Sequence, residues 1–394
     1  MGGDFRRLWT ASAISSLGDG AMLAAGPLFV ASQTSDPLLV AAAMFAQQLP
    51  WLLFSLIAGA YVDRLERRRL IVVVNLLRAF AVGGLALGVG LDAAGLPVIY
   101  AALFLLGTGD SVARNAETAL LPSLVGEDDL AAANARLFGA TTLGAQLAGP
   151  PLGAYLFAVA AALPFGIDAA SFVAAAALVA GIGGARSAPT DREARSLRHE
   201  VAEALRWLWE HRALRLLALC ICAMNITFSG AMAVYVVYAK ERLGLGPIGY
   251  GALLTVSAVG GVLGTGFVAR LESRFGASLL LRVGLLLEAA THVGLALTRN
   301  PWVAGGIMAV FGVHALVWSV VTLSLRQRAV PSEMLGRVNG VYYLFSVGGS
   351  AVGALVGGVV AHVFGITAPF WIGAALVALL AVVTWRRFAA EIES

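Results

Sequence analysis

The sequence predicts an all-α integral membrane protein, twelve transmembrane helices in two pseudo-repeated six-helix bundles, on three observations. Of 394 residues, 59% are hydrophobic and only 13% charged, about half the charge of a soluble domain. Apolar stretches of the ~20 residues that a spanning helix needs recur along the whole chain, separated by short loops and one longer connector. The second half repeats the first at a shift of 205 residues: Asn134 falls on Asn339, Gly153 on Gly358, Pro164-Phe165 on Pro369-Phe370, and Ala169-Ala170 on Ala374-Ala375.

Segment 1 covers about 8–32, with Asp19 near its middle. An acid there costs at least a few kcal/mol unless it faces a partner or water. Segment 2, about 38–62, follows Asp36-Pro37 and carries Gln47, Gln48 and Trp51. Segment 3, about 70–92, holds Arg78. At 1.5 Å per residue this arginine lies ~12 Å deep, within snorkelling distance of the near face. Segment 4, about 97–119, ends with Asp110, Arg114 and Glu117, and the acids of Glu127-Asp128-Asp129 mark the start of segment 5. Segment 5, about 131–160, contains Gly149-Pro150-Pro151, and segment 6, about 164–185, has Asp168 near its outer end. These six form an N-terminal bundle, residues 1–185. Residues 186–211 mix arginines and glutamates with a stripe of Leu197, Val201, Leu205 and Leu208, which reads as an amphipathic helix at the inner surface. Six further segments, at about 212–239, 247–270, 277–298, 301–326, 337–362 and 366–387, form a C-terminal bundle over residues 212–394.

Of the 27 basic residues, all but Lys240, Arg242, Arg299 and the intramembrane Arg78 fall on or near one face. By the positive-inside rule that face is cytoplasmic, with both termini inside. The arginines are spread one cluster per loop, which is topology and not a nucleic-acid surface. Lys240 is the single lysine, and the Ala, Gly and Arg bias suggests a GC-rich bacterial genome. Cys220 and Cys222, two apart in an apolar segment, read as buried small hydrophobes and not as a redox or metal pair.

Between segments 2 and 3 lies Gly59-Ala-Tyr-Val-Asp63-Arg64-Leu-Glu-Arg67-Arg68-Arg69. It resembles the signature loop of the major facilitator superfamily of secondary transporters, with Gly59, Asp63, Arg64, Arg68 and Arg69 on the pattern. Glu66 stands where the family has a second glycine, a departure that bears on the turn because glutamate does not reach positive φ without strain. The resemblance implies an inner-gate latch in which Asp63 pairs with Arg114 or faces the start of segment 11 near Arg337. The plainer reading is a positive-inside anchor. The second-half counterpart, Gly266 to Gly276, keeps glycine and bases but loses the acid.

Gly149, Pro150 and Gly153 resemble the segment 5 motif of antiporters in this superfamily, with Ala154 in place of its last glycine. Proline removes a backbone hydrogen bond and small residues permit close helix approach. The family's arginine motif in segment 4 is missing, since Leu103 to Gly107 contains none. Candidates for proton coupling are Asp19 by its depth, Glu288 and His292 four apart on one helical face, and His314; each histidine equally reads as a packing residue. Gln47, Trp51, Arg78, Asn225 and Trp318 are the candidates for a substrate cavity. Arg78 binds an anionic substrate group on one reading and balances Asp19 or Asp110 on the other.

With Glu117-Thr-Ala-Leu-Leu-Pro, Leu130-Ala-Ala-Ala-Asn134 and Gly336-Arg337-Val-Asn339, the chain resembles the twelve-helix bacterial exporters of the macrolide-efflux and enterobactin-exporter type. The resemblance implies a transporter of the bacterial cytoplasmic membrane that exports a small amphiphilic molecule by proton antiport through alternating access. Import, uniport or lipid transport on the same scaffold are the alternatives. No nucleophile motif, phosphate-binding loop or histidine-rich cluster suggests an enzyme, a cofactor or a metal. The expected partners are the bilayer, a small-molecule substrate and protons. A monomer is expected, because one chain supplies both halves of a pathway.

Overall fold

The computed structural model describes residues 2–62, 65–183 and 197–392. The described residues are helical throughout, joined by short turns, with no strand. Eleven helices among them are long and apolar enough to cross a membrane. The twelfth crossing is segment 5, which is broken.

The N-terminal elements are α1 (Gly3–Gln33), α2 (Pro37–Val62), α3 (Arg67–Gly90) and α4 (Leu96–Leu120), then α5 (Leu130–Thr142), α6 (Gly149–Val159) and α7 (Leu163–Ala180). Segment 5 is predicted as one helix; it is split by a π-helical turn over Leu143–Ala148. The cause is Pro150-Pro151, whose rings displace the carbonyls four residues back and supply no N–H, so the helix widens before them. The amphipathic connector appears as α8 (Leu197–Glu210). After it come α9 (Arg212–Ala233), α10 (Tyr235–Glu241), α11 (Pro247–Thr265), α12 (Val268–Leu297), α13 (Pro301–Ala329), α14 (Ser332–Phe364) and α15 (Ala368–Ile392). Segment 7 is interrupted at Val234, giving α9 and α10. The turn at Gly276 is visible inside α12, where φ reaches +73°, a value glycine adopts freely.

The chain divides into two compact units. One holds residues 1–34, 46–194 and 247–255, the other 35–45, 195–246 and 256–394. Inside the first, α1 packs on α6 and α7, and α3 on α4 and α7; inside the second, α9 packs on α14 and α15, and α12 on α13 and α15. The same contact pattern twice is the internal repeat seen in space. Glycines carry it. Gly149 and Gly153 of α6 abut Gly20 and Ala21 of α1, while Gly353 and Gly357 of α14 abut Ile226 and Gly230 of α9, with no room for a Cβ at any of the four. Hydrophobic force is weak between helices in lipid, so such backbone contact supplies the dispersion energy that holds them.

The apolar stripe of α8 is rotated from its expected position. Ala204 and Leu208 are fully buried and Val201 packs beside them, against Leu214 and Leu217 of α9 and Val338 of α14. Leu205 is exposed, because the face centres on the 201–204–208 row. Arg337 of α14 holds this helix through an ion pair to Glu203 at 3.2 Å.

Candidate functional site

The interior of the first unit contains charge. Asp19 at the midpoint of α1 accepts a short hydrogen bond from the Arg78 guanidinium of α3. Arg78 is 4% exposed and its guanidinium lies 3.9 Å over the Phe172 ring of α7. Arg78 does not snorkel, although its depth permits it; an acid and an aromatic face inside the bundle offer it a better partner than the distant surface. Gly109 of α4 makes this possible, since a Cβ there would strike the arginine stem.

A second acid completes the cluster. Asp168, one turn from Phe172 on α7, is fully buried and within Coulombic reach of both Asp19 and Arg78. Its Oδ1 accepts from Ser171 Oγ at 3.2 Å. Its Oδ2, like Nε of Arg78, has no hydrogen-bond partner among the described residues. Gly18, beside Asp19, leaves space for the Asp168 carboxyl, which a Cβ would fill. Arg78 thus pairs with Asp19, while Asp168 lies within its field but makes no ion pair with it among the described residues. A second group follows along α4: Arg114 pairs with Asp110 at 2.8 Å, and Glu117 accepts from Ser12 of α1 at 3.0 Å. Sequence reasoning did not select Asp168. It is a lone acid in an apolar span, the same signal that marked Asp19, but counting placed it near a helix end and its partners lie on other helices.

The second unit buries a different set. Glu288 of α12 lies 3.1 Å from His314 Nε2 of α13, each about 3% exposed. Glu288 and His292 share a face as predicted, yet the carboxyl meets His314. His292 is packed on Gly373 of α15, and neither ring nitrogen has a hydrogen-bond partner among the described residues. Trp318 is buried in the hydrophobic core of this unit with Leu281, Leu285 and Phe388, so it lines packing rather than an open cavity. Asn225 of α9 is half-buried and bonds to Ser346 and Ser350 of α14 at 3.2 and 3.1 Å. Gln47 and Trp51 are half-buried on α2, and the Gln47 carbonyl abuts Gly107 of α4.

Of the signature loop, Asp63 and Arg64 lie outside the described residues, and of Gly59 only its helical backbone in α2 is described. Two of the three remaining bases cap helices. Arg67 donates to the Ala119 carbonyl at the end of α4 at 3.0 Å, and Arg68 to the Ala180 carbonyl at the end of α7 at 2.7 Å. Helix C-termini present unpaired carbonyls and partial negative charge, which cations complement. Arg69 pairs with Glu66 at 2.5 Å. Glu66 itself has φ −66° and ψ 106°, a region open to any residue, so the glycine it replaces is not required there.

The family model described as "Transmembrane secretion effector" matches residues 2–394. The multidrug efflux pump Tap of Mycolicibacterium fortuitum is 26% identical over 379 residues, covering 91% of this chain and 90% of the pump. The enterobactin exporter EntS of Citrobacter koseri is 28% identical over 372 residues, covering 90% of this chain and 84% of the exporter. Among solved structures, the nucleoside transporter NupG superposes with a TM-score of 0.77 at 12% identity, covering 100% of both chains. A bacterial homologue of the iron transporter ferroportin, in an inward-facing state, gives 0.75 at 20% identity over 98% of both. At these identities the structural likenesses speak for the fold alone.

Proposed function

The chain belongs to the transmembrane secretion effector family of the major facilitator superfamily, and on that premise we propose that it exports a small amphiphilic molecule from the bacterial cytoplasm by proton antiport. Relatives named as an efflux pump and as a siderophore exporter support the direction. The coupling reading rests on one observation: the buried Arg78 guanidinium pairs with Asp19 and lies within Coulombic reach of the buried Asp168. Uncompensated charge is costly inside a membrane protein. A cluster of one cation and two carboxyls is electrically neutral with one proton aboard, and that proton can be exchanged.

In this mechanism Arg78 leans on Asp19 when Asp19 is charged. Protonation of Asp19 frees the guanidinium toward Asp168, which shifts α1 relative to α3 and α7. Alternating access would follow from such a shift repacking one bundle, because interlocked helices have discrete arrangements. The broken α5–α6 segment, against α1, supplies a place where the backbone can give. Both termini are assigned to the cytoplasm, a reading that the distribution of basic residues supports. Asp63 is assigned the latch role that the signature loop implies.

The test uses acidified inside-out vesicles and a pH-sensitive dye, with amphiphilic antibiotics, dyes and siderophores added in turn. Substrate-driven alkalinisation is expected, and Asp19→Asn should abolish it. Unaltered pH dependence in Asp19→Asn would remove Asp19 from coupling and direct attention to Glu288 and His314. Alkalinisation absent with every compound would sink export by antiport in favour of import or uniport.

A further inference from the structure

Beside the charge cluster, the first unit carries a groove of about 910 Å³ between the start of α1 and α5. It belongs to none of the contacts described above. Two arginines, Arg6 and Arg136, and the single acid Asp129 line it, together with Phe5, Trp9 and Leu143. Both arginines are exposed. Trp9 Nε1 donates to the Arg136 carbonyl at 3.2 Å and ties the two walls together. The groove exists because α5 presents small residues to it; a Cβ at Gly139 would meet nothing within 4 Å.

The lining changes character along its length. Arg6 is in the first turn of α1, Asp129 immediately precedes α5, and Arg136 lies at the middle of α5. Leu143, the first residue of the π-helical turn after α5, lies ~10 Å beyond Arg136 at 1.5 Å per residue. Leu143 is 51% exposed, as a side chain facing hydrocarbon is. The groove thus passes from charged residues, Arg6, Asp129 and Arg136, to the apolar Gly139, Ala140 and Leu143. Two guanidiniums against one carboxylate leave a net positive charge, and arginine binds phosphate with paired N–H donors. Basic pockets between helices at a membrane face suit anionic headgroups.

We propose that this groove binds one phospholipid with an anionic headgroup, its phosphate between Arg6 and Arg136 and an acyl chain along Gly139 and Leu143. The assignment of this lipid to the inner leaflet rests on the inward N-terminus proposed above; the binding chemistry does not. The depth of the groove reaches Leu143, where the π-helical turn begins. A bound chain would therefore press on the one irregular turn between α5 and α6, and transport would become sensitive to anionic lipid.

The full-length protein in detergent is titrated with phosphatidylglycerol and with phosphatidylcholine, with binding read by native mass spectrometry. A preference for phosphatidylglycerol is expected, falling roughly five-fold for each arginine in Arg6→Gln and Arg136→Gln. Arg386→Gln with Arg387→Gln, an exposed basic pair on α15, should leave it unchanged. Gly139→Leu keeps both arginines, fills the open space and should abolish binding, so the proposal remains testable if an arginine variant fails to fold. Retained preference in Gly139→Leu, an equal loss in the α15 pair, or displacement of the lipid by excess inorganic phosphate would each overturn it. Sidedness plays no part in detergent. Labelling of Gly3→Cys in intact cells tests the inward N-terminus separately.

Discussion

The two bundles share a scaffold and differ in what they bury. In the first, α3 places Arg78 against Asp19 of α1 and within Coulombic reach of Asp168 of α7. In the second, α12 places Glu288 against His314 of α13, with His292 one turn further along. At the repeat shift of 205, Asp168 corresponds to Gly373. One repeat has an acid there; the other has a gap, which the His292 ring occupies. The glycine-to-backbone contacts of α1 with α6 and of α9 with α14 stand apart from both polar sets. Helix association is therefore carried by small residues in each half, and the buried charges are free to diverge between them.

The sharpest way to break this comparison is to remove the cation. Arg78→Met leaves Asp19 and Asp168 buried with no counter-charge, and a loss of about 3–5 kcal/mol is expected, seen as a collapse of the melting temperature in detergent. The triple variant that adds Asp19→Asn and Asp168→Asn should recover most of it. Wild-type stability of Arg78→Met alone would mean that Arg78 is not the counter-ion. Next in size are Gly153→Leu and Gly357→Leu, one in each bundle. Both overpack a helix pair and should cost about 1–3 kcal/mol. A large disparity in their melting temperatures would show that the packing repeat is not energetically a repeat.

Glu288→Gln sharpens the contrast. The amide can still bond to His314, so a change near 1 kcal/mol is expected, with proton-coupled transport preserved. Loss of coupling in Glu288→Gln, alongside its survival in Asp19→Asn, would exchange the roles assigned to the two bundles. The smallest expected effect concerns pH. Asp36, in the turn before α2, accepts from the Leu38 amide at 2.9 Å and lies 2.8 Å from His362 of α14. Desolvation works to raise its pKa, but the Leu38 amide and His362 outweigh it and hold the carboxyl below its ordinary value. Its contribution is therefore complete above the unfolded pKa and lost as pH falls through the lower folded one, below about pH 4. A melting curve against pH should show a slight destabilisation there. Asp36→Asn should remove that component, and an unchanged profile would exclude it.

Much of the fold was legible because bilayer thickness turns composition into geometry: a long apolar run has few options but to cross. The segment boundaries and the turn at Gly276 follow from local chemistry, whereas segment 5 reads as one helix and is broken before Pro150-Pro151. The candidate site was legible only by type. Asp19 and Arg78 stood out as charges inside spans, but which acid meets which base depends on α1, α3 and α7 facing one another. For the same reason Asp168 was passed over, and Glu288 found His314 rather than its neighbour His292. The stripe on α8 shifted by a fraction of a turn, because its contacts with Leu214, Leu217 and Val338 selected Ala204 over Leu205.

The sequence by itself determined a transmembrane, twice-repeated helical chain, since hydropathy, turn residues and the positions of prolines and glycines act within a few residues of where they stand. Tertiary structure alone decided that Arg78 of α3 meets Asp19 of α1 with Asp168 of α7 nearby, that Arg67 and Arg68 cap α4 and α7 instead of merely anchoring a loop, and that a groove lined by two arginines opens beside α5. Each of these joins side chains from different helices. Their distances are set by how helices rotate and pack, which a one-dimensional pattern of apolar and polar residues does not encode.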